Sequence, residues 1–108
     1  AAGKAAAIDF LRAHLDIARA DTVCAGDSGN DLDMLVGPLP AVLVANASDE
    51  VRQMARHGAE ANGLREWLHC AHGLGPDLNG NYAAGIIEGV LHFRPDLADI
   101  LEQEEDDA

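Results

Sequence analysis

The chain has 108 residues, 48% of them hydrophobic, which allows one domain with a modest core or a piece of a larger one and excludes compositional disorder. Seven Lys and Arg stand against 19 Asp and Glu, a formal charge of −12 that argues against nucleic acid or an anionic membrane surface as partner. A phosphorylated substrate would need local cations or a metal to offset the protein's own charge.

Taken in chain order, "KAAAIDFLRAHLDIAR" (4–19) sets Ile8, Leu11 and Leu15 at helical spacing with Ala7, Phe10 and His14 beside them, which predicts an amphipathic helix. "DTVCAGD" is a short apolar run ending in Gly-Asp, and "PAVLVANAS" is a second, continuously apolar from Ala41 to Ala45. Continuous rather than alternating apolarity predicts parallel strands covered on both faces. Between these runs a short helix is predicted over 31–36. Ser48 then caps a helix that carries Asp49 and Glu50 in its first turn, has Val51, Met54 and Ala55 on one face, and ends near Gly58.

"EANG" reads as a loop, "REWLHCA" fits either a third strand or a helical turn, and "HGLGPDLNGN" is turn-rich. In "YAAGIIEGVLHF" (82–93), Ala83, Ile86, Ile87, Val90 and Leu91 fall at helical spacing. Gly85 and Gly89 each cost such a helix about 1 kcal/mol against Ala, and imply that it approaches the sheet closely. "RPDLADILEQEEDDA" predicts a last short helix begun by Pro95, and its seven acids against one base mark a solvated tail. The alternation of helices and short strands is that of an α/β layered fold. Cys24 and Cys70 lie in apolar runs without framework spacing, as reduced thiols of a cytoplasmic protein would. No apolar run approaches the ~20 residues needed to span a bilayer. The opening "AAGK", without Met, leads us to expect a fragment.

Chemistry concentrates in "GDSGNDLDML". In an open parallel sheet, ligands bind beyond the carboxyl ends of the strands, and Asp27 sits at such an end. If Asn30 begins a helix, Asp31 lies in its first turn and the Ser28-Gly29 bend turns both carboxylates toward one point. Two hard oxygen ligands in a turn suit Mg²⁺, which keeps several waters; zinc would want His or Cys, and none is near in sequence. The competing account is that Asp, Ser, Asn and Gly are ordinary turn and cap formers.

This loop, behind an apolar run and a helix opening with Lys4, resembles the fourth motif of haloacid dehalogenase-like phosphatases. Within them it is closest to the large-cap sugar phosphatases, in particular sucrose-phosphate phosphatases and the phosphatase-like C-terminal domain of sucrose-phosphate synthases. "GKAAAIDFL" is similar to the lysine-bearing third motif, "VLVANASDEVR" to the strand and helix after the acidic loop, and "YAAGIIEGVLHF" to the closing helix. The resemblance implies the C-terminal part of a Rossmann-like core, residues 1–93, followed by a short helix and acidic tail at 94–108. It implies Mg²⁺ as cofactor, with Asp27 ligating it and Asp31 binding it directly or through water. Ser28 and Asn30 would fix the loop and reach metal waters or phosphate, and Lys4 would hold the nucleophilic carboxylate and the transferring phosphoryl group. Asn46 would line the phosphate or sugar side, although a plain turn residue at the strand end accounts for it better. Asp33 is expected to face outward.

The chain departs from the family at Ala5 and Ala45, where Gly is usual. The nucleophilic Asp-x-Asp-Gly motif is the larger departure, because the only Asp-x-Asp here is Asp31 to Asp33, inside the acidic loop. Nor does Thr22, the only Thr, stand where the second motif needs one. The expected function is therefore Mg²⁺-dependent hydrolysis of a sugar phosphate, sucrose-phosphate-like, once joined to a missing N-terminal core and cap of the same protein. Alone the chain is not expected to act on phosphate esters, and its sheet would expose an edge. The alternative is a non-catalytic phosphatase-like binding or folding module of a sucrose-phosphate synthase.

Two further patterns are weaker. "DLNGNYAAGIIE" (77–88) has the acids and amides of an EF-hand loop but Tyr82 where Gly is required, and Asn79 or Asn81 capping the last helix explains it better. "HCAH" (69–72) invites a metal, yet residues on a strand point to different faces, so core and surface roles are expected for His69 and His72.

Overall fold

A computed structural model describes residues 3–73 and 79–100. The acidic tail beyond residue 100 and the part of the turn-rich stretch at 74–78, including Asp77 of the calcium-loop pattern, lie outside the described residues. The helices are α1 (Lys4–His14), α2 (Leu32–Leu35), α3 (Asp49–Ala61) and α4 (Tyr82–Phe93). The strands are β1 (Cys24–Gly26), β2 (Ala41–Leu43) and β3 (Leu68–Cys70), forming a parallel sheet in the order β1-β2-β3. The α/β class expected from the sequence is therefore observed. "REWLHCA" supplies both of its readings, a 3₁₀ turn at Arg65–Trp67 running into β3.

Strand alternation sorts the sheet into rows. Cys24, Ala41 and Leu68 pair across one row, Ala25, Val42 and His69 across the next, and Gly26, Leu43 and Cys70 across the third. The first and third rows join Met34, Leu35, Leu39, Ala55 and Ala59 in the core beneath α2 and α3. The middle row faces α4, whose Gly89 lies so close that an added Cβ would sit 2.6 Å from Val42 Cβ. Both faces are thus covered, which is why the strands read as continuous apolar runs. Full burial of Leu35, Leu39, Val42 and Leu43 contributes about 1.5–3 kcal/mol for each side chain.

Two helix ends fall away from the predicted places. Instead of running to Arg19, α1 stops at His14, because Ile17 N donates to Arg12 O and Asp16 N to Ala13 O with Asp16 at φ 58. This is a Schellman cap carried by Asp instead of Gly, hence its invisibility in the sequence. The predicted stop of α3 at Gly58 is replaced by one three residues later, where Leu64 N donates to Ala59 O and Gly63 takes φ 70. Gly58 is instead a packing residue, since a Cβ there would be 2.6 Å from Val36 Cγ1. At its other end α3 is capped as predicted, with Ser48 Oγ accepting from Val51 N at 3.2 Å. Met54 is half exposed, and the contact face of α3 is carried by Ala55 and Ala59.

The caps expected from Asn79 or Asn81 are not made. Asn79 Oδ1 accepts from Asn81 N, and Tyr82 N, at the start of α4, donates to Asn46 Oδ1 at 3.4 Å. His69 and His72 also depart from expectation by converging on Glu88 of α4. His72 lies past the end of β3, so strand alternation no longer directs it.

α1 carries no buried residue, and Phe10 and Leu11 on it, with Leu15 at its C-cap, are more than half exposed. Cys24 and Cys70 are both free thiols. Among the described residues no helix is long and apolar enough to cross a membrane.

Candidate active site

β1 ends in Gly26, and the chain leaves the sheet at Asp27 before a 3₁₀ turn (Gly29–Asp31) leads into α2. That turn folds Asp31 back over the strand end. An added Cβ on Gly26 would lie 2.6 Å from Asp31 Cβ and 2.9 Å from Cγ and Oδ2, so only glycine leaves room for the carboxylate there. Asp31 is 8% exposed. Its Oδ2 accepts from Asp27 N at 3.2 Å and Ser28 Oγ at 3.5 Å, and its Oδ1 accepts from Lys4 Nζ at 2.8 Å.

The Lys4 hydrogen bond holds the Asp31 carboxyl below the usual carboxylate range and wins over its burial; in turn the hydrogen bond and charge of Asp31 raise Lys4. Both partners therefore stay ionised at neutral pH. Lys4 keeps 60% of its side chain exposed, which leaves the ammonium able to meet an incoming anion.

Asp27 and Asp31 line one cleft of about 290 Å³ with Ala25, Gly26, Val44, Tyr82, Ala83 and Ile86. The first turn of α4 roofs the carboxyl ends of β1 and β2, where a parallel sheet presents its loops. Tyr82 stands at the rim, 68% exposed, with φ 42, a left-handed conformation that costs a tyrosine energy and recurs at functional sites. Its place was not legible in the sequence. "YAAGIIEGVLHF" specifies a helix, but only the strand order brings its start above Asp27.

The predicted residues separate into two groups. Lys4, Ser28 and Asp31 are joined by hydrogen bonds, with Asp27 beside them on the cleft wall. Asn30 is exposed in the 3₁₀ turn, and Asn46 is exposed at the end of β2 with its oxygen turned to Tyr82 N; neither lines the cleft. Asp33 is exposed, but its carboxylate leans over the start of α1, where an added Cβ on Gly3 would meet Asp33 Oδ2.

The metal-ligating donors that line the cleft are the oxygens of two carboxylates, a set that suits Mg²⁺. Asp27 makes no side-chain hydrogen bond or ion pair among the described residues and offers both oxygens. Those of Asp31 are shared with Lys4, Asp27 N and Ser28, an arrangement suited to contact through water.

Comparison with known proteins bears on this cleft. A sequence profile of the family described as sucrose-6F-phosphate phosphohydrolase matches residues 1–94. A protein of Nitrosococcus oceani named as a HAD-like hydrolase is 46% identical over 97 residues, covering 88% of this chain and 25% of its own length. YxeH of Bacillus subtilis, named as a phosphatase, is 36% identical over 73 residues, 68% of this chain and 27% of its own. The chain thus spans about a quarter of the length of these relatives. The sucrose-phosphatase of Synechocystis, solved with sucrose and phosphate, superposes with a TM-score of 0.65 at 25% identity, over 85% of this chain and 33% of that one.

Proposed function

Because this chain belongs to the sucrose-6F-phosphate phosphohydrolase family, we propose that it is the metal-binding part of a sugar-phosphate phosphatase, completed by further chain that carries the nucleophile. The substrate in this reading is a phosphomonoester of the sucrose-phosphate type. The observation that carries it is the placing of Asp27 and Asp31 on one cleft at the carboxyl end of β1, with Lys4 held on Asp31 at 2.8 Å.

In this reading Asp27 would hold Mg²⁺, and Asp31 would hold it directly or through water. The ion, when bound, neutralises phosphoryl oxygens and stabilises charge that develops on them. Lys4 keeps a cation at the cleft edge, positioned by Asp31, to receive the same oxygens. Ser28 and the Asp27 N–H fix the Asp31 carboxylate, so its geometry is set before any ligand arrives. Tyr82 and Ile86 close the far wall and limit water. In this reading residues 1–93 belong to the core portion and 94–108 are appended to it. Two free thiols support a cytoplasmic setting.

The proposal that more of the phosphatase core covers this chain draws on two surfaces. Among the described residues β1 is an edge strand paired only to β2, and apolar side chains lie open at Phe10 and Leu11 of α1 and at Leu15, its C-cap. The coding sequence upstream of Ala1 tests the reading. An in-frame apolar strand followed by Asp-x-Asp-Gly is expected. A phosphatase-like region lacking that first Asp, or one behind a glycosyltransferase, would replace the enzyme by the non-catalytic module of a sucrose-phosphate synthase.

A further inference from the structure

On the sheet face turned to α4, away from the cleft, three metal-ligating side chains meet. His69 Nε2 lies 2.5 Å and His72 Nε2 3.8 Å from Glu88 Oε2, and one donor atom from each residue falls within 4.8 Å of the others. We propose that His69, His72 and Glu88 bind a single divalent cation of the zinc class, which pins the end of β3 to α4.

Geometry and donor chemistry carry this together. A tetrahedral zinc with bonds near 2.0–2.1 Å needs its ligand atoms about 3.3 Å apart; the two distances to Glu88 straddle that value and all three donor atoms lie within 4.8 Å, so the site is completed by moving the exposed His72 ring toward the other two donors. Two imidazoles and one carboxylate are also the set that three-ligand zinc sites use with an open fourth position, and they disfavour Mg²⁺. The fourth position has room, since His69 and His72 border an open cleft of about 510 Å³ that also meets Arg65 and His92.

The ligands are held in the manner of a built site. Glu88 is 2% exposed and fixed by the backbone N–H groups of His72 and Gly73, with Gly73 N to Oε1 at 2.6 Å. The ring of His69 stacks on that of His92, with centroids 4.2 Å apart and 22° between planes, which sets its direction. His72 is the adjustable member, with 70% of its side chain exposed. If the cluster served only as a His69-Glu88 ion pair, the ring of His72 would have no part in it. Its replacement therefore separates the two accounts.

The test is titration of the full chain with Zn²⁺ against a chromophoric zinc indicator, and with Co²⁺ read by its visible absorption. One equivalent is expected to bind, with Co²⁺ bands of a low-coordinate nitrogen and oxygen site. His72→Asn, on an exposed side chain that folding does not need, should weaken Zn²⁺ binding by about tenfold or more, and Glu88→Gln should abolish it. The exposed His14 and His57 serve as controls, and their replacement by Asn should change nothing; nor should Asp27→Asn, which touches only the other site. Absence of stoichiometric binding, unchanged affinity in His72→Asn, or a loss that follows His14, His57 or Asp27 would overturn the proposal.

Discussion

Gly26→Ala places a methyl carbon against the one carboxylate that organises the cleft. The new atom would stand 2.6 Å from Asp31 Cβ and 2.9 Å from Cγ and Oδ2, distances at which something must move. If the loop holds, the overpacking costs about 1–3 kcal/mol. If Asp31 swings away, the charge-assisted bond from Asp27 N–H is lost, worth about 1.5–3 kcal/mol. The smaller freedom of Ala in the unfolded chain returns about 0.4–1 kcal/mol. The net loss is centred on about 1–2 kcal/mol, within about 0–2.6 kcal/mol by the first route and about 0.5–2.6 kcal/mol by the second, and the centre corresponds to roughly 4–16 °C in Tm for a domain of this size. Gly29, in the same loop, has no atom within 4 Å of an added Cβ and does not use the left-handed region, so Gly29→Ala should be neutral or stabilising by up to about 1 kcal/mol. Urea unfolding of the two variants reads the difference directly, as a lower midpoint for Gly26→Ala at unchanged slope. If both unfold at the same urea concentration, Gly26 is not what makes room for Asp31, and the account of the loop fails.

Lys4→Met removes the hydrogen bond that holds Asp31 below the carboxylate range, so the Asp31 carboxyl should titrate at higher pH in a side-chain NMR titration. Because the folded value is the depressed one, the stability that this pair contributes is present above the unfolded value near about 3.9 and is lost as pH falls through the folded value. Wild type should therefore lose more stability than Lys4→Met over that acid range, and an unmoved Asp31 titration would refute the pairing. Ser48→Ala should cost about 1 kcal/mol in thermal or urea unfolding and Ser48→Asp only a small part of it, since the cap needs one oxygen for Val51 N. Equal stability of Ser48→Ala and wild type would show that this cap contributes nothing.

How far the sequence could be read depended on whether the deciding partner was local. The strands announced themselves because burial on both faces removes polar alternation, and Ser48 because a cap needs only its own next turn. Asp27 and Asp31 were legible because four residues and a turn suffice to bring them to one cleft. Gly85 and Gly89 pointed correctly to close packing, as Val42 beneath Gly89 demonstrates. The misses each involve a contact from elsewhere in the chain, or a residue standing in for a commoner one. Asp16 takes a left-handed cap position where glycine is the usual sign, and Gly58 serves a neighbouring helix where it resembled a stop. Asn46 reaches across from the end of β2 to Tyr82, supplanting the local Asn79 and Asn81. His69 and His72 could be joined only through Glu88, 19 and 16 residues away.

The central claim is that Asp27 belongs to the metal site of a phosphatase. It is tested most directly by phosphate release from sucrose-6F-phosphate at saturating Mg²⁺, using the polypeptide that unites this chain with an Asp-x-Asp-Gly half. Loss of several kcal/mol of metal-borne charge stabilisation corresponds to at least about a hundredfold in rate. Asp27→Asn should therefore reduce turnover by that factor or more while the far-UV circular dichroism is kept; undiminished turnover in the variant would contradict the assignment.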